Sequence, residues 1–246
     1  MQMRRIATLS ALLVGLAAPL HGQTAGNGYL FGAPVARLNL RAGYARANAN
    51  SDVFDDAIRF LTLERSSFSG PSIGGDFAVT VAPRLDLTLS ADYSAAVRSS
   101  EDRGYLDNNN LPIEQTTSFR RVPLTANAIL YLTPRGRSIG KLAWIPARVV
   151  PWIGAGGGTM WYRFQQEGDF VDYQTLDVFT TKLESSGWAP TLQALGGVDV
   201  TLTPRIAVNV DARRTWASAT PSGGFRTYEK VDLSGLTGAL GFTIRL

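Results

Sequence analysis

No cysteine occurs in the 246 residues. That excludes a disulfide framework, a thiolate metal site and a lipid anchor on a cysteine behind an N-terminal apolar run. Histidine is nearly absent too, His21 being the only one, and the only lysines are Lys141, Lys182 and Lys230. Beyond the N-terminus no apolar run approaches the ~20 residues that a transmembrane helix needs. Charge is dispersed, with 24 Lys and Arg against 20 Asp and Glu, so the basic balance carries no nucleic-acid signal.

Arg4 and Arg5 precede an apolar run over residues 6–18, broken only by Thr8, Ser10 and Gly15. The run is too short to cross a bilayer but suits a secretory signal peptide, residues 1–22, cut after Gly22 or, alternatively, after Ala25. A retained N-terminal anchor is the competing reading, disfavoured by Pro19 and Gly22, which end the run early. Cleavage removes His21 and takes the formal net charge from +4 to +2. A mature chain without histidine has no His-dependent hydrolase chemistry. Ser–Lys chemistry is left with three lysines in connectors or loops, so no enzyme is expected. Metal binding is reduced to oxygen ligands and hence calcium. The candidates are Asp52, Asp55 and Asp56, or Glu101, Asp102 and Asp107 with the asparagines at 108–110; neither set has EF-hand spacing, and solvated acidic loops are the favoured reading. The glycines over 154–158 are followed by neither a helix nor a suitably placed lysine, so they make no nucleotide loop. No cofactor is expected.

What the chain does have is a period of two. Over residues 236–246, Leu236, Leu240, Phe242, Ile244 and Leu246 alternate with Thr237, Ala239, Gly241, Thr243 and Arg245. A strand with one apolar and one polar face must be paired along both edges, and closing the sheet into a barrel achieves that. Three Pro-Arg turns, at Pro83-Arg84, Pro134-Arg135 and Pro204-Arg205, each follow an apolar strand end. Long segments rich in Asn, Ser, Asp and Gly lie between them. Three short turns at one end and long loops at the other, with both termini on the turn side, predict eight antiparallel up-and-down strands in an all-β transmembrane barrel. The expected division is a signal peptide over 1–22, a short lead over 23–34 and one barrel domain over 35–246.

The strands are expected near 35–44, 72–81, 85–97, 121–132, 149–164, 188–202, 206–213 and 236–246. Most exceed the ~9–11 residues needed to cross a bilayer at a barrel's tilt, so they are expected to project on the outer side. The third is the clearest, with Leu85, Leu87, Leu89, Ala91 and Tyr93 opposing Asp86, Thr88, Ser90, Asp92 and Ser94. The fifth has no assignable face, because its glycines blur both. The first outer loop, 45–70, places Phe54, Ile58 and Leu61 at helical spacing behind Asp52 as a cap, with an extended hairpin as the competing reading. The connector 135–148 reads either as an enlarged periplasmic turn, with Trp144 at the lipid interface, or as a plain loop.

Period two alone does not say which face is buried, since a lipocalin-type barrel keeps its apolar residues inside. The density of the apolar face in nearly every strand favours lipid outside. So do the aromatics at strand ends, Tyr44, Tyr93, Trp152, Trp161, Tyr162, Trp188 and Trp216. The lumen is then charged: Arg37, Arg41, Arg213 and Arg245 share it with Asp76, Asp86, Asp92, Asp199 and Asp211. An eight-stranded barrel is just wide enough for its side chains to fill it, so an ion-paired plug is favoured over a narrow selective channel. Phe119, Ile129, Tyr131 and Leu195 are apolar residues on otherwise polar faces; they could line an outer-side pocket or be ordinary filler.

The signal peptide, the Pro-Arg turns, the V-P-W-I-G-A-G-G-G-T-M-W-Y-R-F strand over 150–164 and the final strand resemble small eight-stranded outer-membrane proteins. That group comprises opacity-type antigens and OmpX-, OmpA- and OmpW-like barrels. The glycine-rich fifth strand is most similar to the OmpW type. The chain departs from the group in ending on Leu246 where an aromatic residue is usual. The resemblance implies a bacterial outer-membrane location, with contacts to outer-membrane lipid and lipopolysaccharide and to the barrel-assembly machinery during biogenesis. It implies no nucleic-acid partner and a monomer. Two roles remain: a structural or surface-interaction protein with a plugged lumen, or an OmpW-like transporter or narrow channel whose ligand is a small apolar molecule.

Overall fold

The computed structural model describes residues 28–107, 110–140, 143–172 and 174–246. The expected signal peptide with both cleavage points and His21 lies outside the described residues, as do Asn108, Asn109 and Lys141. Eight antiparallel strands form a closed ring: β1 Ala36–Ala47, β2 Gly70–Ala82, β3 Leu85–Leu106, β4 Pro112–Tyr131, β5 Val149–Val171, β6 Val178–Thr201, β7 Ile206–Ala219 and β8 Gly235–Arg245. Each pairs with its neighbour in sequence, and β8 returns to β1 from Arg37↔Arg245 to Ala47↔Gly235. Closure removes the free edges along this seam, as a lipid environment requires.

The alternation resolves outward for the apolar set. Leu40, Leu89, Leu192, Leu240 and Phe242 are all more than 60% exposed, while Asn39, Asp86, Gln193, Asn209 and Thr243 are buried. A continuous apolar wall of this kind cannot face water, so the barrel is a membrane-spanning one and the soluble, lipocalin-like arrangement fails. In β5 the inward set is Val150, Trp152, Met160, Tyr162 and Phe164. The glycines that obscure its periodicity serve close packing. A Cβ on Gly156 would lie 2.1 Å from the Ala126 carbonyl oxygen and 2.4 Å from the Asn127 amide oxygen, so only glycine admits β4 at this distance.

The hairpins β3–β4 and β5–β6 are built from strands of 22, 20, 23 and 24 residues. They project well beyond the bilayer, and their outer connectors shrink to 107–111 and 172–177. β4 therefore begins at Pro112 instead of near 121, β5 runs to Val171 past 164, and β6 begins at Val178 ahead of 188. Above the membrane the outward face is wetted, so residues such as Thr116 and Glu167 carry no apolar alternation to read. In the first outer loop the helical reading holds: α1 spans Asp52–Phe60 with Val53, Phe54 and Ala57 buried. Its N-cap residue is Ser51, and Asp52 instead accepts the adjacent Val53 N–H. The connector 132–148 contains a small hairpin, Gly136–Ile139 against Ala143–Pro146. Tyr44, Tyr93, Trp188 and Trp216 face outward, Tyr93 and Trp188 well inside their lengthened strands, but Trp152 and Tyr162 turn inward and are buried.

Candidate functional site

The register stacks charged residues in two layers inside the lower, periplasmic half. In the lower layer Asp86, fully buried, accepts Arg37 Nε at 2.9 Å, Arg135 Nη1 at 3.0 Å and the Tyr131 hydroxyl at 3.0 Å. Arg37 Nη1 reaches Asp199 at 3.1 Å, and Asp199 accepts the Trp152 indole N–H at 3.0 Å. Both Arg37 and Arg135 lie over the Tyr131 ring, at 5.1 and 4.9 Å. In the upper layer Asp76 accepts Arg41, Arg213 Nη2 at 2.9 Å, Asn39 at 3.0 Å and Ser90 at 2.6 Å. Arg41 continues to Asp92 at 2.5 Å, and Arg213 Nε to Asp211 at 2.9 Å. Pairing makes this possible: Asn39↔Asp76 and Asp76↔Ser90 face one another across β1, β2 and β3. A neutral girdle adjoins the upper layer, where Gln193 donates to Thr125 at 2.6 Å and Asn127 at 2.7 Å, and Asn127 donates to Ser90 at 3.0 Å.

Of the nine charged residues expected in the lumen, eight are joined by these ion pairs. Arg245 is the exception. It donates to the Thr203 and Pro204 carbonyls and to Thr201 Oγ1, and stacks over Trp144 at 5.9 Å. Its place beside the last periplasmic turn puts it among carbonyl oxygens, and it forms no ion pair among the described residues. Arg135 joins the network unforeseen. It sits in the second Pro-Arg turn, and period two does not extend into a turn to say where it points.

Trp144 does not rest against lipid. It is buried beneath the barrel, and its backbone exchanges two 2.8 Å hydrogen bonds with Leu30. The small hairpin thus lies across the lower mouth, where Trp144, Arg245, Arg37 and Asp199 enclose a void of about 10 Å³. Between the two charged layers a second void measures about 30 Å³.

The outer half of the interior is apolar. Phe54 of α1 meets Phe68, Phe119 and Phe164 at ring distances of 4.7, 5.3 and 5.4 Å, and Phe164 meets Phe225 at 5.1 Å. Val231 and Leu233 of the fourth outer loop join them, as do Leu61 and Leu63 of the first. Two loops thus cap the outer end by inserting apolar side chains into it. Apolar residues in polar loops were the only trace of this in the sequence.

The expected outer-side pocket is not assembled. Phe119 belongs to the outer cap, while Ile129, Tyr131 and Leu195 pack with Val150 and Trp152 in the periplasmic half. Phe119 lies ten residues from Ile129 along β4, and the lower cluster sits at the level of the lower charged layer, where Tyr131 and Trp152 bond Asp86 and Asp199.

No family model and no curated protein matches the sequence. Among solved structures, the chain is similar in fold to OprG from Pseudomonas aeruginosa, at 16% identity, TM-score 0.47 and coverage of 88% of this chain and 99% of that one. It is similar also to neisserial surface protein A, at 14% identity, TM-score 0.44 and coverage of 89% and 98%. A third is Ail of Yersinia pestis, at 11% identity, TM-score 0.41 and coverage of 86% and 99%.

Proposed function

We propose that the protein is a monomeric bacterial outer-membrane barrel with a structural or surface-display role, its lumen closed by side chains. The supporting observation is the lack of free volume: voids of about 30 and 10 Å³ in the charged half each hold one or two water molecules at most. The aromatic cap stands above them and the Trp144 hairpin below. Outer-membrane lipid and lipopolysaccharide contact the apolar wall, and the barrel-assembly machinery inserts it. The test is single-channel recording of the refolded protein in a planar bilayer, with folding verified by heat-modifiable electrophoretic mobility. Silence from folded protein is expected; steady, reproducible openings would overturn the plug.

A second reading, sideways transfer of small apolar molecules into the membrane, is favoured by one feature. The β6–β7 ladder ends at Thr191↔Ala217, and the next residue outward on β6, Pro190, has no N–H to extend it. A groove of about 1160 Å³ lies there, lined by Leu192, Trp216 and Ala217, and Ala217 belongs to the outer apolar cluster. Filling the groove with Ala217→Trp should then reduce cellular uptake of N-phenylnaphthylamine while the barrel still folds. Unchanged uptake removes this reading.

A further inference from the structure

Above the aromatic cap the outer loops enclose a recess that the closed barrel does not explain. Its volume is about 260 Å³, near the lower end for a small-molecule site. Its floor is formed by Val53, Ala57, Leu61 and Phe225 of the cap, so the recess is blind and offers no way into the lumen. Phe170 and Tyr228 supply aromatic surface, and Asp56 and Asp102 stand in its wall.

The informative residue is Gln166. It lies on the inward face of β5, between Thr117 of β4 and Leu183 of β6. It is 92% buried, lines the recess and makes no side-chain hydrogen bond among the described residues. Its neighbour Gln115 is already committed, donating to the Asp169 carbonyl at 2.8 Å. The amide therefore keeps its hydrogen-bonding capacity for whatever fills the recess it lines, and a ligand seated there can supply the partner. The charge there is negative. Asp102 accepts the Gly104 and Tyr105 N–H groups, and Asp56 has no partner among the described residues. The nearby Arg103 spends its guanidinium on the Ile58, Leu61 and Leu63 carbonyls and pairs with neither carboxylate.

We infer that this recess binds a small organic cation with a flat apolar body. The body lies on the aromatic floor, the ammonium group faces Asp56 and Asp102, and the Gln166 amide completes its hydrogen bonding. Aromatic faces and carboxylates attract a cation together and repel an anion of the same shape. The walls come from α1, four strands and the fourth loop, and such an enclosure suits a free small molecule.

The experiment uses the full chain refolded in zwitterionic nanodiscs and two fluorine-labelled probes sharing one ring. One is 4-fluorophenethylammonium and the other 3-(4-fluorophenyl)propionate, each titrated by fluorine NMR. The expected result is saturable binding of the cation and at least about tenfold weaker binding of the anion, equivalent to about 1.4 kcal/mol. Gln166→Leu and Asp56→Asn should each weaken the cation several-fold. Gln166→Leu replaces an amide that makes no hydrogen bond among the described residues with an apolar side chain of similar size, so the variant is expected to fold. Equal binding of the two probes, absence of saturable binding, or indifference to Gln166→Leu would each overturn the assignment.

Discussion

Asp76 shows how much one buried carboxylate holds in this lumen. Four side chains from β1, β3 and β7 converge on it: Arg41, Asn39, Ser90 and Arg213. Asp76→Ala leaves two guanidinium groups short of a partner in a closed interior, and breaking such a pair costs about 3–5 kcal/mol. Guanidinium unfolding followed by tryptophan fluorescence should show that loss. Glu184→Ala offers the contrast. Its pair with Arg163 is about one-third exposed on each side, so the same assay should register less than about 1 kcal/mol. Asp76 was readable as a lumen residue because its parity opposes Ile73, Phe77 and Val79. That it would serve both Arg41 and Arg213 was not, since β2 and β7 are distant in sequence and are brought together only when the ring closes.

Among the elements, α1 was legible in kind but not in destination. The spacing of Phe54, Ile58 and Leu61 marks a helix with one apolar face, and this face must bury against something. The structure sends it into the barrel's outer end, where Phe54 is fully buried against three other phenylalanines. Phe54→Ala should cost about 3–5 kcal/mol of local packing. Limited proteolysis is the sensitive readout: cleavage within 48–69 should appear while the transmembrane strands stay protected. In β5 the glycines have the opposite character, being required by space alone. Gly156→Val places carbon atoms against the β4 backbone, and overpacking of this kind costs about 1–3 kcal/mol or more. Its unfolding midpoint should fall even though valine is the better strand former.

At the scale of the whole molecule, the apolar wall and the polar interior exchange the places they hold in a soluble barrel. Leu240 is midway along β8 and 63% exposed. In a lipid-facing wall Leu240→Arg costs about 2–4 kcal/mol near the bilayer midplane, measurable by equilibrium unfolding in vesicles. In a water-facing wall the same change would be close to neutral. The interior is divided into storeys: ion pairs below, amides and hydroxyls at mid-height, phenylalanines above. Each storey is filled from a different source, the lowest partly by a periplasmic hairpin and the highest by two outer loops. Strand count, turn side, and the division of seven strands into an apolar and a polar face followed from the sequence by itself, because period two and Pro-Arg turns are local signals. The fifth strand's facing, the partners within the charged layers, the upper strand extensions and the two end caps were decided only by the tertiary structure. Those depend on contacts between residues far apart in the chain, and above the membrane water on the outer face erases the alternation that would have announced a strand.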